Sequence, residues 1–151
     1  DISSRIVNRN PSGPFTTSTL QQVSSGRLNF GASRTMQIAQ KLYQGIEIDG
    51  ETIGLITYMR TDGTNLSTDA VSSFRDYIKK KFGDDYLPKN PLNYSGKKAK
   101  NEQEAHEAIR PTDIMRAPDT LKKYLSPDQH KLYDLIFFYQ IQQLLLSYLK
   151  Q

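Results

Sequence analysis

The stretch Gly54–Ser67, GLITYMRTDGTNLS, constrains the fold more than any other part of the chain. Leu55, Ile56, Thr57, Tyr58 and Met59 are β-branched, aromatic or bulky apolar residues, a composition suited to a half-buried strand. Asp49-Gly50 just upstream is a hairpin turn signal, so Ile46 to Asp49 and Thr52 to Met59 read as the two arms of a β-hairpin. Continued to Asp62, the two-residue period puts Tyr58, Arg60 and Asp62 on one face and Thr57, Met59 and Thr61 on the other. A phenol, a guanidinium and a carboxylate are then aligned on a short strand in a chain whose other patterned segments read as helices. The expected class is mainly α with a small antiparallel hairpin (α+β).

The helices follow from caps and periodicity. Ser18 with Gln21 fits a capping box, predicting a short helix to about Ser25 that Gly26 stops. Ser33 can cap a second helix, with Met36, Ala39, Leu42 and Tyr43 on one face and Gly45 at its end. Two short helices joined by a brief turn resemble a helix-turn-helix, although ordinary helical hairpins are commoner. Ser67 can cap a third helix, stapled by Leu66 against Val71 and striped with Val71, Phe74, Ile78 and Phe82 until Gly83. Asp84 to Asn101, with two prolines and Lys97, Lys98 and Lys100, reads as an exposed basic loop. A helical turn is predicted from Glu102 until Pro111 halts it, which would set His106 and Arg110 four apart on one face.

Asp119 can cap a brief helix to Tyr124. Ser126, Pro127 and Gln129 form the strongest helix start in the chain, opening a long final helix whose apolar residues surround nearly its whole circumference. Gln140, Gln142 and Gln143 argue against a membrane span. Residues 1–13 read as a polar arm or linker and 14–151 as a single domain. The start at Asp1, in polar sequence and without an initiator methionine, suggests a piece of a longer chain.

The chain has no cysteine, which removes disulfides, thiol nucleophiles and cysteine-type zinc sites, and two histidines leave little room for other zinc chemistry. A net charge of +4 mildly favours an anionic partner. With no signal peptide in DISSRIVNRN, the default expectation is a soluble intracellular protein.

Tyr58 has two readings: a buried strand tyrosine with a bonded hydroxyl, or a nucleophile. A phenol with a pKa of about 10 attacks poorly at neutral pH unless a base or cation favours the phenolate. Arg60 can supply that charge and bind a phosphate bidentately, or merely pair with Asp62 at the surface. His106-Glu107 begins like the zinc-protease pattern H-E-x-x-H, but Arg110 stands where the second histidine is needed. His106 is then an ordinary half-exposed histidine or a donor to phosphate beside Arg110. No hydrolase elbow, phosphate-binding glycine loop or metal-spaced acid cluster is present, so no cofactor is expected in this chain.

Four strings, PFTTSTLQQ (Pro14 to Gln22), TMQIAQKLYQG (Thr35 to Gly45), GLITYMRTDGTNLS and EAHEAIRPT (Glu104 to Thr112), occur in an order and at separations that closely resemble type IA DNA topoisomerases of the bacterial topoisomerase I branch. The resemblance covers about residues 14–136 and only the tyrosine-bearing central domain. It implies a winged-helix-like (CAP-like) domain of the enzyme's toroid. It also implies that Tyr58 is the nucleophile, forming a transient 5′-phosphotyrosine in single-stranded DNA, so that negatively supercoiled DNA is relaxed without ATP.

By the same resemblance Arg60 positions the tyrosine and the phosphate, Asp62 orients Arg60, and His106, Arg110 and Thr61 contact the DNA backbone, Arg110 alternatively giving structural support. Met59 is typical of the topoisomerase I branch. The family implies Mg²⁺ bound by an acidic domain outside this chain, the remaining domains of the same enzyme as partners, and a cytoplasmic, nucleoid location with no membrane. Gly63 departs from the serine usual after RTD, Ser24-Ser25-Gly26-Arg27 from a more basic run, and FFYQIQQLLLSYL from a less apolar final helix. The reading of a different class is a winged-helix module that only binds DNA, with Tyr58 structural.

Overall fold

A computed structural model describes residues 13–82 and 107–149, with side chains to 142. The elements are α1 (Thr17–Leu28), α2 (Ala32–Gln44), β1 (Ile46–Ile48), β2 (Glu51–Ile53), α3 (Thr68–Phe82), α4 (Pro118–Leu121), a 3₁₀ turn (Lys122–Tyr124) and α5 (Pro127–Leu149). The chain is mostly helical with one two-stranded antiparallel sheet. Residues 1–12 of the arm, the basic loop and His106 lie outside the described residues.

The long α5 is the centre of the core. Its cap is the expected box: Ser126 N–H donates to Gln129 Oε1 (3.0 Å) and Gln129 N–H to Ser126 Oγ (3.2 Å). Leu132, Tyr133, Leu135, Ile136, Phe137 and Ile141 are buried, and α5 packs on α1, α2 and α4. Burial is not complete around the helix, since Phe138 is exposed. Phe15 stacks on Tyr139 with ring centroids 3.8 Å apart. Among the described residues no helix is long and apolar enough to cross a membrane.

Tyr133 is fully buried and its hydroxyl donates to the Arg116 carbonyl (2.6 Å). Burial pushes its phenol well above the ordinary value near 10. The folded state thus favours the protonated form: this contribution is intact below about pH 10 and is lost as pH rises beyond it. Urea midpoints measured from pH 8 to 11 should fall at the alkaline end, and Tyr133→Phe should flatten that fall.

Several helix boundaries differ from the sequence reading. The N-cap of α1 is Thr16, whose hydroxyl accepts from Thr19 N–H while Thr19 returns the bond; Ser18 lies inside the helix. The helix runs through Gly26 and ends at Asn29, in the left-handed conformation with φ 62°. Gly31, without a side-chain bond, caps α2, so Ser33 does not. Ala117 precedes α4 and Pro118 takes its first turn, so Asp119 is not its cap. Ser67 does cap α3, accepting from Ala70 N–H (3.1 Å), and Phe74 and Ile78 are its buried face.

The hairpin turns where expected, with Asp49 and Gly50 both at positive φ (51° and 87°), the geometry of a tight two-residue turn. It is shorter than predicted. Ile46 pairs with Ile53 and Ile48 with Glu51, and β2 ends at Ile53. Beyond Gly54 the chain leaves β1 and pairs with residues 110–112: Thr57 N–H donates to Arg110 O (2.9 Å) and Thr112 N–H to Leu55 O (3.0 Å). Residues 107–111 are accordingly extended, not helical. They bridge Asn65, Phe15 and Ile56 in turn, so this short segment joins three distant parts of the chain.

Gly54 marks the departure because it passes tight against α2. A Cβ there would lie 2.7 Å from the Tyr43 carbonyl oxygen, backbone that cannot easily yield. Gly54→Ala is expected to cost about 1–3 kcal/mol as an overpacked contact, measured as a lower urea midpoint.

Candidate active site around Tyr58

From Thr57 to Asp62 the chain is an extended, irregular segment whose burial alternates as the sequence pattern predicts. Tyr58, Arg60 and Asp62 are exposed, Met59 is buried, and Thr57 and Thr61 are intermediate. Tyr58 is 49% exposed, so the buried-strand-tyrosine reading does not hold. Its ring meets the edge of Tyr43 at 5.2 Å between centroids and 68° between planes. Tyr43 itself is 40% exposed and is not part of the buried face of α2, which is Thr35, Met36, Ala39 and Leu42. The two exposed tyrosines support each other at the surface.

Arg60 stands on the rim of an open cleft of about 910 Å³ that runs over α2 to the start of α5; Gln37, Lys41 and Gln44 also line it. The ion pairs among the described residues are Arg34–Asp128, Arg110–Glu107 and Arg116–Asp113. Arg60 is in none of them. A guanidinium and an ammonium on one rim can receive a phosphate, and Arg60 is two residues from the phenol.

The other named residues are placed differently. Arg110 is mostly buried: Nε donates to Glu107 and Nη1 to the Pro111 carbonyl (3.0 Å). Glu107 also accepts from Ser67 N–H (3.0 Å), so Arg110 braces the entry to α3. Residues 107–110 are extended, not the helical turn expected there, and His106 lies outside the described residues. The Thr61 hydroxyl accepts from Gly63 N–H (3.0 Å), shaping the turn that follows Asp62.

Two threonines that sequence reading did not single out for the site hold the segment in place. Thr17, the first residue of α1, exchanges backbone and side-chain bonds with Met59 and Thr61, and Thr57 does the same with Ala108 and Arg110. Both lie inside the quoted strings. A hydroxyl that reaches a backbone more than 40 positions away leaves no periodic signature.

Among the described residues no group of three or more histidines, aspartates or glutamates is arranged to hold a metal ion. The segment presents an exposed phenol and a guanidinium on a braced backbone.

The sequence pattern of the DNA topoisomerase family matches residues 1–148. Similar proteins include DNA topoisomerase 1 of Rickettsia felis, 56% identical over 136 residues, and that of Xylella fastidiosa, 51% identical over 138. These alignments cover 90% and 91% of this chain and 17% of each relative. The full-length topoisomerase I structure from Thermotoga maritima is similar with a TM-score of 0.73 and 42% identity, covering 91% of this chain and 20% of that one. The chain thus spans about one sixth of the length of the curated relatives it matches. With the family pattern over nearly every residue and the exposed Tyr58–Arg60 pair on one of the strings that first suggested the resemblance, the chain belongs to the DNA topoisomerase family, as a segment of a type I enzyme.

Proposed function

We propose that this chain is the nucleophile-bearing part of a type IA DNA topoisomerase. The Tyr58 hydroxyl oxygen attacks a backbone phosphorus of single-stranded DNA. The new bond joins phosphorus to the tyrosine oxygen, the bond to the 3′ oxygen breaks, and that oxygen leaves as a 3′-hydroxyl after taking a proton. The DNA is held as a 5′-phosphotyrosine while another strand passes, and attack by the 3′-hydroxyl reseals it. The phosphodiester energy is kept in the covalent link, so negatively supercoiled DNA is relaxed without ATP. Arg60 binds the phosphate and stabilises the charge that builds on its oxygens in the transition state, Asp62 orients Arg60, and His106 with Thr61 supports the DNA backbone. Arg110 acts through structure, because its guanidinium already bonds Glu107 and Pro111.

The observation that carries this reading is the pairing of a half-exposed Tyr58 with an Arg60 outside every described ion pair, on one braced segment of a topoisomerase-family chain. The described residues do not offer a ligand set for Mg²⁺. By the family resemblance, Mg²⁺ is proposed to be held by an acidic domain outside this chain, and no step is derived through it. The order helix, helix, hairpin in α1, α2 and β1–β2 supports a winged-helix-like (CAP-like) arrangement, and a bacterial cytoplasmic, nucleoid setting goes with the proposed substrate. The proposed organisation keeps residues 1–13 as a polar arm or linker and 14–151 as a single domain.

The test is a segment exchange. This chain replaces the matching segment of a full-length bacterial DNA topoisomerase 1, and the exchanged enzyme is incubated with labelled single-stranded DNA before denaturing electrophoresis. A covalent protein–DNA adduct is expected. A folded exchanged enzyme that binds the DNA without forming an adduct would overturn the reading in favour of a DNA-binding module.

A further inference from the structure

We propose that Thr17 is a positioning residue for the Tyr58–Arg60 pair, acting through the backbone on both sides of Arg60; this rests on the reading of Tyr58 and Arg60 given above. Three bonds define the contact. Thr17 N–H donates to the Thr61 carbonyl (2.9 Å), Thr61 N–H donates to Thr17 Oγ1 (2.7 Å), and Thr17 Oγ1 donates to the Met59 carbonyl (2.7 Å). The hydroxyl is used as donor and acceptor at once, which a threonine or serine can do and a valine or alanine cannot. The Thr17 N–H belongs to the first turn of α1, where no intrahelical acceptor exists, so it is available for this use at no loss to the helix.

The consequence for the site is geometric. Successive side chains of an extended segment point to opposite sides, so fixing residues 59 and 61 fixes the direction in which Arg60 leaves the backbone. Met59 adds a buried anchor on the inner side. On the other side of Tyr58, Thr57 repeats the same three-bond pattern with the 108–110 segment: N–H to Arg110 O (2.9 Å), Arg110 N–H to Oγ1 (2.9 Å) and Oγ1 to Ala108 O (2.8 Å). Residues 57, 59 and 61 are thus each tied down, and the two exposed reactive side chains, 58 and 60, stand between them. Groups that act in a transition state gain from such placement, since a shift of about 1 Å can cost on the order of 100-fold in rate.

A merely structural contact would lower stability without changing the chemistry of the enzyme that remains folded. The experiment separates the two in the segment-exchanged full-length enzyme, using single-turnover adduct formation on saturating single-stranded DNA at a temperature where every variant is folded by circular dichroism. Thr17→Val is expected to slow adduct formation about 10- to 100-fold while changing DNA affinity less than about threefold. Thr17→Ser is expected to restore the rate. Thr17→Ala, which keeps the backbone bond to Thr61 and suits a helix, serves as a second variant if valine impairs folding. In an Arg60→Ala background the Thr17→Val loss is expected to be clearly smaller, because part of it acts through Arg60. Full activity of Thr17→Val and Thr17→Ala would overturn the proposal, as would an equal loss with Arg60 present or absent. Adduct formation by Tyr58→Phe in the same assay would instead sink the nucleophile reading beneath it.

Discussion

Tyr58→Phe in the segment-exchanged enzyme is expected to lower covalent adduct formation by at least about 10⁴-fold, the scale seen when a covalent nucleophile is removed. The substitution deletes one oxygen from a side chain that is half exposed and whose ring contact with Tyr43 needs no hydroxyl. Folding stability should therefore change little, and binding of single-stranded DNA should stay within a few fold. Loss of adduct with retained binding separates a nucleophile from a structural tyrosine, because a structural role would show as lost stability instead. The measurement is the yield of adduct on denaturing gels beside a binding isotherm under the same salt, since phosphate contacts make affinity salt-dependent.

The second large effect is expected at Arg60. Its guanidinium stands two residues from the phenol and is in no ion pair among the described residues. Arg60→Ala should lower the single-turnover rate of adduct formation by about 10²–10³-fold, the range for losing a donor aimed at transition-state charge. It should weaken DNA binding by less than tenfold, the loss of roughly one phosphate contact. Arg60→Lys keeps the charge but not the planar fork, so it should recover only part of the rate. Equal losses in rate and affinity would make Arg60 a phosphate anchor rather than a transition-state group.

How much of this was legible from residues alone depended on whether the signal was local. The box at Ser126 and Gln129, the Asp49-Gly50 turn and the alternation from Thr57 to Asp62 involve neighbours in sequence, and all three are present in the structure. The start of α1 was misplaced because Thr16, Thr17 and Ser18 offer three hydroxyls in a row. The tertiary clasp of Thr17 to residues 59 and 61 leaves Thr16 as the cap. Gly26 did not stop that helix: Ser24 beside it is buried and accepts from the Thr35 hydroxyl (2.9 Å), and such α1–α2 packing outweighs a propensity cost of about 1 kcal/mol.

The end of β2 was unreadable for a different reason. An extended segment shows the same alternation whichever partner it pairs with, so the switch at Gly54 from β1 to residues 110–112 leaves no periodic trace. Residues 107–110 carry helix-forming composition, yet their backbone groups are taken by Asn65, Phe15 and Thr57, and that pairing overrides propensity. The same long-range pairing hid the roles of Thr17 and Thr57 and turned Arg110 inward to Glu107. Tyr58 and Arg60 are the part of the proposed site to which family strings and residue chemistry both point.

The bond to DNA is proposed to be made by the Tyr58 oxygen. Its most direct measurement is mass spectrometry of the trapped adduct after protease and nuclease digestion, with the released DNA end analysed in parallel. A nucleotide 5′-phosphate is expected on the peptide containing Tyr58, with fragment ions placing it on the phenol, and a free 3′-hydroxyl on the other DNA end. A nucleotide on any other residue, or a 3′-phosphate linkage at Tyr58, would contradict it.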